Sequence, residues 1–253
     1  MTEMTRYDHG VPSWVDLGTA DVKAALSFYQ SLFGWDAQDM GEQAGHYTIV
    51  SIEGKQVAAV SPMQQNSGPP YWTTYVNVDD VDTIASKVES AGGKTLAGPM
   101  DVMDAGRMAV FSDVTGAAIA VWRPGMHMGA EVINVPGALT WNELATSDLS
   151  RSRTFYSQVF GWTWTESDVY SEAKVGDRHV AGAMPRPPMI PAQVPDHWLV
   201  YFGANDVDGD SKRAVDLGAS LLAGPQDIPD GGRFCVLADP QGAVFALFKG
   251  REG

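Results

Sequence analysis

Two acidic residues each follow a tryptophan by two positions: Trp14-Val15-Asp16 and, 127 residues later, Trp141-Asn142-Glu143. Both triplets read as β-strand, and side chains two apart on a strand share a face. A carboxylate on such a face is solvated, paired with a cation, or at work as a hydrogen-bonding or acid–base group, because burying it bare is costly. Arg107 and Arg233 recur at matching positions and are the natural cationic partners. An Asp16/Glu143–Arg pair stitching strands and a ligand-binding or general-base carboxylate therefore both stand open.

The other reactive side chains lead less far. Cys235 is the single cysteine, so it makes no internal disulfide and no cysteine cage. Between Phe234 and Val236 it reads as a buried, inert thiol. None of His9, His46, His127, His179 and His197 has a histidine counterpart in the other half, and no His-x-x-x-His spacing occurs. They read as solvated or hydrogen-bonded imidazoles. His197 stands apart, because strand parity with Leu199 and Tyr201 would let it look into a cavity at its rim. Asp113 and Asp239 precede turns and read as turn-formers.

The elements that must position these residues come from an internal repeat. Trp14–Asp21 recurs as Trp141–Asp148, Phe28-Tyr29 as Phe155-Tyr156, and Phe33-Gly34-Trp35 as Phe160-Gly161-Trp162, all offset by 127. Further on, Trp72, Tyr75, Asp80-Val81-Asp82, Gly98-Pro99, Gly106-Arg107 and Asp113 recur 126 residues later. Asp21 is a good helix N-cap and Gly34 a good C-terminal stop, with Val22, Ala25, Leu26, Tyr29, Leu32 and Phe33 on one helical stripe. The pattern of strand, helix and two or three strands appears four times, with Pro-rich joints at Ser67–Pro70 and Pro185–Pro195. The expected organisation is a domain over 1–125, a linker over 126–137 and a domain over 138–253.

Composition narrows the function classes. The chain has 253 residues, 44% hydrophobic, and 31 acidic against 17 basic side chains for a net charge of −14. That balance disfavours nucleic acid and anionic membranes, whose binding needs clustered Lys and Arg. No apolar run approaches the roughly 20 residues of a membrane span, and Met1–Gly10 lacks a signal-peptide core. A cytoplasmic protein is expected.

Asp-x₆-Phe-Tyr-x₃-Phe-Gly-Trp after a first strand, and a late Gly-Arg strand followed by Asp-x-x-Gly, resemble the glyoxalase/bleomycin-resistance/dioxygenase (vicinal-oxygen-chelate) superfamily, twice over. The resemblance implies an α+β fold: four βαβββ units forming two glyoxalase-like domains, with curled mixed sheets around a cavity and helices on the outer face. Enzymes of that family hold a divalent metal with four His, Glu or Gln side chains. Here the corresponding positions carry Trp14, Thr73 and Ala120, and then Trp141, Leu199 and Ala246, and neither Val57–Val60 nor Val180–Ala183 offers a ligand. No metal and no cofactor are expected, which argues against metal-dependent lyase, dioxygenase or thiol-transferase activity.

The family match turns the Trp-x-acid face inward. One cavity would then hold Trp14, Asp16, Thr73, Tyr75, Arg107 and Trp122, and the other Trp141, Glu143, His197, Tyr201, Arg233 and Phe248. Because His197 and Leu199 depart from Tyr71 and Thr73, the two should differ in affinity. The favoured reading is binding or sequestration of a small aromatic or amphipathic molecule, related to resistance or natural products. The alternative is a metal-independent, hydroxylase- or lyase-like enzyme with Asp16 or Glu143 as general base. A protein scaffold is a weaker third. The expected partner is a small molecule, and the chain a monomer (an internal pseudo-dimer) or a homodimer.

Overall fold

The protein is described by a computed structural model covering residues 2–63, 68–165, 167–191, 193–229 and 231–250. Ser67, which opens the expected Ser67–Pro70 joint, and Ala192, within Pro185–Pro195, lie outside these residues. The first half runs β1 (Thr2–Glu3), β2 (Pro12–Thr19), α1 (Val22–Phe33), β3 (Asp36–Asp39), β4 (Thr48–Ile52), β5 (Lys55–Pro62), β6 (Tyr71–Asn77), α2 (Val81–Ser90), β7 (Lys94–Val102), β8 (Gly106–Ser112) and β9 (Ala118–Pro124). The second runs β10 (Val132–Ile133), β11 (Leu139–Thr146), α3 (Leu149–Phe160), β12 (Thr163–Thr165), β13 (Ser171–Val175), β14 (Arg178–Pro185), β15 (His197–Gly203), α4 (Val207–Asp216), β16 (Ser220–Ile228), β17 (Gly232–Ala238) and β18 (Val244–Gly250).

Local chemistry sets the helix ends as the sequence predicts. The Asp21 carboxylate accepts from Ala24 N–H at 2.9 Å, and Gly34, at φ 72°, closes α1 by donating to Gln30 O. Asp148 and Gly161 do the same for α3. Each half builds one eight-stranded mixed sheet, in the orders β3-β4-β5-β2-β6-β9-β8-β7 and β12-β13-β14-β11-β15-β18-β17-β16. The parallel pairs are β2/β5 and β6/β9 in the first, β11/β14 and β15/β18 in the second. Antiparallel β2/β6 and β11/β15 join two βαβββ units at the centre of each sheet. The α+β architecture with two repeated domains is thus as expected, and the sheets are not closed.

The helices cover the convex faces, but those faces are not the outside of the molecule. Phe28 and Tyr29 on α1 meet Phe245 on β18, and Phe33 and Trp35 meet Phe202 on β15. Leu17, Leu144, Phe28 and Phe155 are buried as expected, in cores shared between halves. Large aromatics on a convex sheet need cover, and here the other half supplies it: α1 lies by α4 and α2 by α3. At the seam Thr74 Oγ1 donates to Asn142 Oδ1 at 2.8 Å, both residues buried.

Four short strands escape the sequence reading. In β3 all four residues are exposed, so no apolar alternation marks it. β12 has three residues, and β1 and β10 two each, pairing with one another across the start of the chain and the linker. Segment 126–137 is consequently built into the structure rather than free chain.

Candidate functional site

Strand register creates the first site. Trp14 and Asp16 on β2 stand opposite Tyr75 and Thr73 on β6, and Tyr75 lies beside Ala120 on β9. Asp16, 6% exposed, accepts at Oδ2 from Tyr75 OH (2.9 Å) and Tyr47 OH (3.2 Å), with the Thr73 hydroxyl a further donor. The Tyr47 hydroxyl in turn accepts from Trp14 Nε1 at 2.9 Å. Burial raises the Asp16 pKa above the ordinary 3.8, and the hydroxyl bonds offset only part of that rise. Burial, with the Asp16 charge second, pushes Tyr47 and Tyr75 well above the usual phenol range.

The second half repeats the arrangement. Trp141 and Glu143 on β11 oppose Tyr201 and Leu199 on β15. Glu143 Oε1 accepts from Tyr201 OH at 2.8 Å, Tyr170 is a second phenol donor, and Trp141 Nε1 donates to Tyr170 OH at 2.9 Å. Burial again raises the acid's pKa above its ordinary 4.5. Gly182 on β14 leaves room for this pair, since a Cβ there would run into the Tyr170 hydroxyl and the Trp141 indole.

The arginines are a correction. Met108 stands opposite Trp122 and Phe234 opposite Phe248, so Arg107 and Arg233, one position away, point to the other face. Arg107 forks onto Asp82 of α2 at 2.9 and 3.0 Å and reaches Asp101 at 3.0 Å. Arg233 binds Asp208 and Asp227 in the same way. They clamp helix to hairpin and take no part in either site. Among the described residues neither Asp16 nor Glu143 pairs with a Lys, Arg or His.

The remaining candidates fall where strand parity put them. Trp122 lies on the inner face, its Nε1 donating to His127 O at 2.8 Å, and Phe248 packs with Leu199, Tyr201 and Ala246. His197 opposes Ala145 at the start of β15, on the Leu199 side, with Nδ1 2.9 Å from Pro195 O. Cys235 is buried, and its thiol is pushed up to about 11 by desolvation, as an inert thiol should be. Asp113 and Asp239 each accept at Oδ1 from two backbone N–H groups of their own turn.

Sequence reasoning missed three residues. Tyr47 and Tyr170 match one another at an offset of 123, because the chain is shorter between α3 and β13 than between α1 and β4. A search at that offset would have paired them. The third is His127, read as a linker imidazole. Its ring stands edge-on to Trp14 at 4.5 Å and near Trp122 at 5.9 Å, and its buried Nε2 has no partner. Burial lowers its pKa, the Glu131 charge opposing, so it is neutral. It caps the first site, whose Trp14, Tyr75 and Trp122 are buried, whereas Trp141, Glu143 and Phe248 stay partly exposed.

The positions at which family enzymes carry metal ligands do converge here, on β2, β6 and β9 and on β11, β15 and β18. Their occupants do not fit the group: indole, alanine and leucine offer no lone pair to a cation, and the lone Thr73 hydroxyl is a poor donor. No group of three or more His, Cys, Asp or Glu among the described residues could hold a metal ion. Among the described residues no helix is long and apolar enough to cross a membrane.

Comparison with known proteins agrees with this architecture. The chain is 42% identical to the "Putative glyoxylase CFP32" of Mycobacterium tuberculosis, over 98% of both chains. It is 41% identical to the "Anthracycline biosynthesis protein DnrV" of Streptomyces peucetius, over 99% of this chain and 97% of that one. In fold it resembles the 2,3-dioxygenase LapB of Pseudomonas sp. KL28 (TM-score 0.67, 14% identity, 97% and 94% covered). It also resembles the Mn(II)-bound glyoxalase of Novosphingobium aromaticivorans (TM-score 0.66, 18% identity, 95% and 83% covered). The profile of the Glyoxalase/Bleomycin resistance protein/Dioxygenase superfamily matches residues 11–121 and again 138–247, and the chain belongs to that superfamily.

Proposed function

We propose that the chain binds an amphipathic aromatic small molecule carrying a hydrogen-bond donor or a cationic amine, at the acid of each half. One observation carries the reading: a carboxylate repeated in both halves, buried at Asp16 and partly exposed at Glu143, is met by phenols and, among the described residues, by no cation. Such a group retains lone pairs for an incoming donor, and its charge is left for a ligand to compensate. The aromatic surround offers stacking faces worth about 0.5–1.5 kcal/mol per well-placed ring. A net charge of −14 favours the approach of cationic or neutral molecules. The likeness to a protein named for anthracycline biosynthesis supports an aromatic natural product as the ligand class.

The test is titration with aromatic amines and phenols, followed by tryptophan fluorescence and calorimetry. We expect one ligand per chain at first, in the more open second site, and a second in His127→Ala. Glu143→Gln should weaken the first event by about tenfold or more, a charged hydrogen bond being worth some 1.5–3 kcal/mol. Binding that ignores both Glu143→Gln and Asp16→Asn would sink the proposal.

The raised basicity of the two acids favours a second reading, a metal-independent enzyme with the carboxylate as general base. Turnover of a bound ligand, lost in Asp16→Asn or Glu143→Gln while binding persists, would separate it from the first.

A further inference from the structure

Where β11 and β14 begin, they diverge, and the gap is a cleft of about 250 Å³. Val11 and Pro12 from the first half and Leu139 and Val180 from the second line it, with Trp141 as one wall and Arg178 among the polar lining residues. None of its lining residues is acidic. Arg178 is exposed and makes no ion pair among the described residues. It feels the Tyr7 phenol, while neighbouring His179 holds Glu172 at 2.9 Å.

The first half contains the same gap, and there it is filled. Ala59 and Gly182 oppose Asp16 and Glu143, so Gln56 corresponds to His179 and Lys55 to Arg178. Between β2 and β5 the linker enters: Ala130 N–H donates to Ser13 O, and Glu131 N–H to Gln56 O, both at 2.8 Å. The Glu131 carboxylate then accepts from Gln56 N–H at 2.7 Å. The molecule thus displays what this gap holds, a carboxylate on the strand's own N–H, next to a strand-opening Lys55 that pairs with Glu3 at 3.7 Å. Its open copy has the stronger carboxylate fork, Arg in place of Lys.

We propose that this cleft between the halves binds a small organic carboxylate, its charge on Arg178 and the opening edge of β14, its apolar body against Leu139, Val180 and Trp141. The volume lies below the roughly 300–1,000 Å³ of pockets for drug-sized ligands, which sets the size of the acid. The proposal does not rest on the acid sites, although Trp141 borders both the cleft and the second of them, and their carboxylates should repel such a molecule.

Phenylacetate is a suitable probe, phenylacetamide its neutral control, and the full chain the receptor, read by calorimetry and tryptophan fluorescence. Expected is saturable binding of one phenylacetate per chain, with the amide bound at least about tenfold more weakly. Arg178→Gln, a change at the exposed first residue of β14, should cost a similar factor, while Glu143→Gln should not weaken binding. Absence of saturable binding, equal affinity for the amide, an unaffected Arg178→Gln, or loss of binding in Glu143→Gln would each overturn it.

Discussion

An acid as enclosed as Asp16, met only by hydroxyls, is harder to ionise in the folded chain than in the unfolded one, and the partly exposed Glu143 is shifted in the same direction. The consequence for stability has a definite sign. Between the ordinary carboxyl pKa and the raised folded value, the native state holds more protons than the unfolded chain, so stability falls as pH rises through that window. Above it the whole cost is present. Asp16→Asn should therefore stabilise the protein at neutral pH, and Glu143→Gln by less because it is partly exposed, and both should lose that advantage below about pH 3. Urea midpoints at the two pH values check this. A neutral-pH loss of stability in both variants would mean that the carboxylates are structural. At this scale the sequence announced the acids and their tryptophans through the 127-residue repeat. It concealed the phenols, because Tyr47 and Tyr170 sit beyond a change of offset.

Parity decides what each strand contributes. Trp14 with Asp16 and Tyr201 with Leu199 were legible as shared faces because alternation along one strand is local. The Arg–acid pairing failed because it assumed a facing relation between strands that single-strand spacing does not carry; register does, and it sends Arg107 to the helix side. Arg107→Ala should accordingly leave ligand affinity at both acid sites unchanged. It should loosen α2 against the β7–β8 hairpin, an effect that shrinks in high salt because the clamp is exposed. Hydrogen exchange of α2 amides at low and high ionic strength reads the second effect, and ligand titration the first. The linker over 126–137, too, carries little of the periodicity of an element in its sequence. Its role is visible only in space, where His127 and Glu131 complete the first half.

The two halves are less separable than their repeat suggests. Tyr29 accepts from Trp72 Nε1 of its own half at 3.1 Å and donates to Asp239 of the other at 3.1 Å. Tyr156 repeats this with Trp198 and Asp113, both at 2.9 Å. The carboxylates that form the two turns thus also join the halves, around convex faces carrying Phe28, Tyr29, Trp72, Phe202 and Phe245. The chain's arms extend the joining. Trp35 Nε1 donates to Gly137 O, Trp162 Nε1 to Gly10 O, and Tyr7 OH to Ala130 O. A fragment ending after Gly125 keeps every strand and helix of its sheet but loses the cap over its concave face and the cover over its convex one. An aromatic surface of that extent does not stay in water as a monomer. We expect fragment 1–125 to aggregate or self-associate, and fragment 126–253 likewise. Coexpression should give a 1:1 complex, because the buried Thr74–Asn142 and Tyr–Asp bonds need no covalent link. Sedimentation velocity on each fragment and on the pair provides the check. A monomeric 1–125 with a cooperative thermal transition would show that the seam is dispensable to the fold. The shared aromatic cores would then have to be read as an interface between two self-sufficient domains.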